Sequence, residues 1–77
     1  MEKVNFLTDL ADILEMERDE LVDGYVLDHQ GKWNSLAIVA TIALIDEQFN
    51  ITIAGDHLRG ATHVEDLWLL IQNRLTM

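Results

Sequence analysis

The chain has 77 residues, 49% of them hydrophobic, with no proline, no cysteine and a formal charge of −9. Residues 1–77 make one domain with one core, and the apolar share excludes a disordered polar chain. The acidic balance argues against nucleic acid or an anionic membrane as partner and favours proteins with basic docking patches.

A first helix is expected from about Glu2 to Met16. Phe6, Leu7, Leu10, Ile13 and Leu14 recur at spacings of three and four, the rhythm of one buried stripe, while Asp9, Asp12 and Glu15 take the other side. From Glu17 to Asn34 the periodicity dissolves, and Gly24 and Gly31 punctuate the stretch. Leu21, Tyr25, Val26 and Leu27 are expected to fold under this long loop and plug the open end of a helical core. The acidic residues Glu15, Glu17, Asp19, Glu20 and Asp23 read as a solvated helix end and loop, against a docking role or a weak divalent-cation site.

A second helix is expected from Ser35 to Phe49. Ile38, Ile42, Ile45 and Phe49 form its core face, and Leu36, Val39, Ala40 and Ala43 form an adjoining apolar face. That second face is either buried under the loop or left exposed for docking. Asn50 to Ile53 is a short β-prone linker that Gly55 ends, and Asp56 to Arg59 makes a single turn that Gly60 stops. Thr62 and Glu65 read as a capping box for a last helix from His63 to about Leu75, with Val64, Leu67, Trp68, Leu70 and Ile71 inward. The expected fold is therefore all-α: a small four-helix bundle of three major helices and one short one, with a long loop between the first two.

No stretch has the order of a signal peptide, and no apolar run reaches membrane-spanning length, so a cytoplasmic monomer is expected. His29, His57 and His63 fit no compact metal-ligand spacing and read as scattered surface side chains.

The tetrapeptide Trp33-Asn34-Ser35-Leu36 is where chemistry is expected. A helix start offers backbone N–H groups without intrahelical partners and the positive end of the helix dipole, a setting that favours a phosphate. Ser35 is either a plain N-cap or the carrier of such a group. Asn34 is an equally good cap, and in that role it leaves Ser35 at the first helical position with its hydroxyl free. Trp33 is expected to cover the loop-to-helix junction, and Lys32 to be solvated.

With these residues in place, the chain resembles the acyl carrier protein family of phosphopantetheine-binding carriers. Asn34-Ser35-Leu36 matches the family's Asp-Ser-Leu tripeptide, Ile45 to Ile53 (IDEQFNITI) its acidic helix end and Phe-x-Ile-x-Ile exit, and Gly60 to Leu67 (GATHVEDL) the approach to its last helix. The resemblance spans essentially the whole chain. It implies a free-standing carrier, not an enzyme, on which a phosphopantetheinyl transferase uses coenzyme A and Mg²⁺ to attach 4'-phosphopantetheine to the Ser35 hydroxyl. The arm would hold acyl or aminoacyl groups as thioesters for loading, acyl-transfer or condensing enzymes.

Two departures from the family pattern matter. Asn34 replaces the usual aspartate and removes one charge beside the serine. Ala37 and Ala40 stand where acidic residues are common, so Asn34, Leu36, Val39, Ala40 and Ala43 are expected to dock partners by apolar contact, as in a specialised pathway with few partners. The alternatives are an aminoacyl or peptidyl carrier of a larger synthetase system and a helical interaction module with no prosthetic group. Serine hydrolysis would need a histidine brought to Ser35 and an oxyanion site, and no spacing indicates either.

Overall fold

The apolar stripe of the first segment becomes α1, Glu2–Ile13, in a computed structural model that describes residues 2–28 and 31–75. Phe6, Leu7, Leu10 and Ala11 are buried with Leu14 just beyond them, and Asp9 and Asp12 face solvent. The helix stops three residues short of the expected Met16. Glu15 turns left-handed with φ 55°, its N–H donates to the Asp12 carbonyl at 3.2 Å, and the Met16 N–H donates to that of Ala11 at 3.0 Å. This is a Schellman reversal, normally built on glycine. A glutamate at that position gave no stop signal.

The following loop holds a short 3₁₀ turn, Arg18–Glu20. Leu21 and Leu27 are buried and Tyr25 half-buried, as expected, but Val26 is 61% exposed. Its backbone makes a single antiparallel bridge with His63. Leu27 N–H donates to the Thr62 carbonyl at 2.9 Å, and Val64 N–H to that of Tyr25 at 3.1 Å. Extended backbone sends alternate side chains to opposite sides, so with Tyr25 and Leu27 inward, Val26 points out.

The second helix, α2, spans Ser35–Phe49 as expected. Ile38 and Ile45 are buried and Ile42 and Phe49 half-buried, while Ala37 and Thr41 complete the core face. Thr41 is tolerated there because its hydroxyl donates to the Ala37 carbonyl at 2.7 Å. Asn50, left-handed at φ 56°, ends the helix and donates its N–H to the Asp46 carbonyl at 2.9 Å. The linker forms no strand; it buries Ile53 and leads into α3, Gly55–Arg59, which starts on the glycine expected to precede it.

The last helix, α4, is Val64–Leu75, with Val64, Leu67 and Ile71 buried and Trp68 and Leu70 half-buried. Its cap differs from the expected Thr62–Glu65 pair. Asp66 Oδ2 accepts from the N–H groups of Thr62 and His63, each at 3.1 Å, and from the Thr62 hydroxyl at 2.9 Å. Because the helix begins at Val64, the residue that can reach back is Asp66, and the Glu65 N–H instead meets the Asp23 carbonyl at 3.0 Å. The Thr62 N–H above all, then the Thr62 hydroxyl and the His63 N–H, holds the Asp66 carboxyl below its ordinary value.

One contiguous cluster joins all four helices and the loop. Phe6, Phe49 and Trp68 pack as a ring trio with centroids 5.8 to 6.2 Å apart, tying α1, α2 and α4 together. The radius of gyration is 11.2 Å, against about 11.5 Å for a folded domain of this length. Among the described residues the fold is all-α, and no helix is long and apolar enough to cross a membrane.

Candidate functional site

The chain approaches Ser35 through a tight turn in which the Asp28 carbonyl accepts from the N–H groups of Gly31 at 3.0 Å and Trp33 at 2.9 Å. Three consecutive side chains then fasten the step before α2. Lys32 Nζ donates to the carbonyls of Leu14 at 3.0 Å and Glu15 at 3.4 Å, the last turn of α1 and its reversal. An ammonium there also complements the negative end of the α1 dipole. Lys32 is exposed, as expected, and its ammonium is in addition engaged with a helix end.

Trp33 is 1% exposed, and its indole Nε1 donates to the Leu58 carbonyl in α3 at 3.1 Å. The residue expected to cover the junction does so from inside the core. Asn34 is the cap of α2: with φ −101° and ψ −178° its Oδ1 accepts from the Ala37 N–H at 3.0 Å, and its Nδ2 donates to the Gly31 carbonyl at 3.2 Å. Ile38 N–H closes the first helical bond on the Asn34 carbonyl at 2.9 Å.

Ser35 is consequently the first helical residue. It is exposed, and its hydroxyl makes no hydrogen bond to any other described residue. Either residue is a good cap by type, and the geometry gives the role to Asn34, as expected.

Beyond Ser35 the apolar face of α2 lies open. Leu36 is 82% and Val39 64% exposed, Ala43 is exposed, and Ala40 is half-buried. The described part of the long loop does not cover Leu36, Val39 and Ala43, so the expected alternative of a face buried under the loop does not hold. No acidic residue occupies the first turn of α2. Ala37 is buried, so its lack of charge reflects core packing.

The two described histidines form no joint metal site. The His63 ring lies 2.9 Å from the Thr62 hydroxyl and 3.8 Å from Asp66, His57 is exposed on α3, and His29 falls outside the described residues. Among the described residues no group of three or more His, Cys, Asp or Glu could hold a metal ion. The acidic residues Glu15, Glu17, Asp19, Glu20 and Asp23 are all exposed.

The bonds of Lys32 to the end of α1 and the capping role of Asp66 are what the sequence reading missed. Lys32 meets a helix end 17 and 18 residues earlier, a pairing no local pattern encodes. No protein-family model, no curated protein and no solved structure matches the chain.

Proposed function

We propose that this protein is a carrier of acyl or aminoacyl groups, bound as thioesters to a 4'-phosphopantetheine arm on Ser35. The observation that carries this reading is the division of labour at the start of α2. Asn34 takes the capping bond, and Ser35 is left exposed with its hydroxyl unengaged. A capping serine would have its oxygen turned to the backbone; this one is open to an incoming phosphoryl donor.

The residues present fit the group. A phosphodiester on Ser35 Oγ would lie at the N-terminus of a 15-residue helix, where a negative charge gains about 0.3–1 kcal/mol. When bound, the arm supplies a terminal thiol for thioester exchange. The chain itself orients: Trp33 and Lys32 fix the segment, Asn34 sets the helix start, and Ser35 presents the attachment oxygen. The four helices, arranged as a small bundle, form the rigid platform beneath it. Leu36, Val39 and Ala43, with the half-buried Ala40, form the surface on which a transferase and the loading or condensing enzymes dock, more by apolar contact than by charge.

Intact mass spectrometry tests this directly. Incubation with coenzyme A, Mg²⁺ and a broad-specificity phosphopantetheinyl transferase adds one phosphopantetheine mass to the wild type and none to Ser35→Ala. The exposed Leu36 and Val39 also suit a helical interaction module without a prosthetic group, and failure of every transferase to add mass would favour that second reading.

A further inference from the structure

Where the last turn of α2 meets α1 there is an open cleft of about 350 Å³, lined by Asn5, Thr8, Asp9, Gln48 and Phe49. Most of its donors are already engaged within the fold. The Thr8 hydroxyl donates to the Val4 carbonyl at 2.8 Å, and Gln48 Nε2 donates to Asp9 Oδ2. A carboxylate only accepts, so this bond turns the Gln48 amide oxygen away from Asp9. It also leaves Asp9 Oδ1 without a donor among the described residues. The exposed Asn5 amide makes no hydrogen bond to any described residue and can turn its oxygen inward. Phe49 adds a half-buried ring. The cleft therefore offers acceptors, one full negative charge and an aromatic surface. The helix end beside it makes the same demand. Lys32 serves the end of α1, and the last turns of α3 and α4 hold Arg59 and Arg74. The last turn of α2 holds no basic residue, although its carbonyls form the negative end of a 15-residue helix. Arg74 is turned to the linker, where it donates to the Thr52 carbonyl at 2.9 Å.

We infer that this cleft receives an arginine side chain of a partner protein. The inference does not depend on the carrier reading of Ser35. A guanidinium presents five N–H donors in one plane and no acceptor. Two of them meet Asp9 Oδ1 and the Gln48 amide oxygen, while the flat face lies against Phe49. A lysine ammonium brings the charge but neither the plane nor the fork. The net charge of −9 favours the same basic partner. Nine residues, two and a half turns of about 3.6 residues each, separate Val39 from Gln48. The cleft and the open apolar face thus lie on opposite sides of α2. A protein anchored here by its arginine leaves Leu36, Val39 and Ala43 free for a second one.

The test follows the side-chain amide signals of Asn5 and Gln48 by NMR at low salt. Three probes are titrated into the isotope-labelled protein: acetyl-Ala-Arg-Ala-amide, acetyl-Ala-Lys-Ala-amide and ethylguanidinium. A saturable shift of both amides is expected with the arginine peptide, and weaker binding with the lysine peptide. In Asp9→Asn the affinity for the arginine peptide falls about fivefold, the fold-change of a well-made exposed ion pair. Asp12→Asn, one turn away and outside the cleft lining, keeps it. Both aspartates are exposed, and circular dichroism checks that both variants fold. Asn5→Ala, which leaves the Asp9–Gln48 bond in place, provides a further variant with an expected loss of affinity. Absence of a saturable shift overturns the site. Equal binding of the arginine and lysine peptides, or equal losses in Asp9→Asn and Asp12→Asn, also overturns it, by reducing it to diffuse attraction to an acidic surface. Binding of ethylguanidinium without binding of the arginine peptide would make the cleft a small-molecule site and overturn the partner protein.

Discussion

Exchanging the two neighbours Asn34 and Ser35 for alanine, one at a time, gives opposite results if the site is built as described. Asn34→Ala removes the acceptor for the Ala37 N–H and the donor to the Gly31 carbonyl. Loss of an N-cap costs about 0.5–2 kcal/mol, typically near 1, and the second bond is exposed and adds little. Ser35→Ala removes a hydroxyl that holds no other described residue and places the best helix former at the first helical position, a gain of up to about 0.5 kcal/mol. The two variants should therefore differ by about 1–2 kcal/mol, with Ser35→Ala the more stable. A domain of 77 residues has a total stability of about 4–12 kcal/mol, so both variants remain folded. Urea unfolding followed by circular dichroism resolves the gap, as does the melting temperature, which moves by ~4–8 °C per kcal/mol in a domain of this size. A Ser35→Ala loss of 1 kcal/mol or more beside a silent Asn34→Ala would make Ser35 the cap and remove the ground for treating its hydroxyl as free.

Other substitutions probe the anchors around this step. Trp33→Phe keeps a ring but removes the indole bond to the Leu58 carbonyl, which the Ala61 N–H still meets at 3.1 Å, so the lost bond costs about 0.5–1.5 kcal/mol in chemical denaturation; a variant as stable as wild type would show that the indole bond holds nothing. Glu15→Gly relieves a left-handed residue whose strain is about 1–2 kcal/mol, less the extra chain entropy of glycine, so a net gain of about 0.5–1 kcal/mol is expected, and a loss would contradict the helix reversal. Asp66 has a depressed carboxyl pKa in the folded protein, so its contribution is fully present above the ordinary value of 3.8 and is lost as pH falls from there through the folded-state value. Asp66→Asn should flatten that part of the acid limb of stability against pH, measured as the wild-type minus variant difference; an unchanged difference across that window would exclude the role.

Much of the helical layout was legible because its signals are periodic. The stripe from Phe6 to Leu14 and the bounds of α2 needed only apolar spacing and a good cap beside Ser35. What escaped depends on geometry that spacing does not carry. The end of α1 rests on a glutamate in a glycine's conformation. The cap of α4 moved from Glu65 to Asp66 because the helix starts one residue later than the threonine suggested. Val26 was counted inward from composition, although a bridge to His63 fixes its alternation the other way. At the candidate site, the expected role of Asn34 as cap, with Ser35 left at the first helical position, agrees with the Ala37 N–H donating to Asn34 Oδ1. Lys32 was expected only to be solvated; its bonds to α1 were not legible, since its partners are carbonyls that every residue possesses.

The three fastenings before Ser35 also set an order of events during synthesis. Lys32 reaches back to α1, but Trp33 needs a carbonyl 25 residues further along the chain, at Leu58. Contacts that distant form only after the intervening loop has closed. A nascent chain that has exposed Ser35 but not yet α3 has a serine in a segment without its indole anchor. The complete presentation of that serine therefore arises only once Leu58 has emerged, and an enzyme that recognises the finished step meets it on a folded domain and not on a growing one.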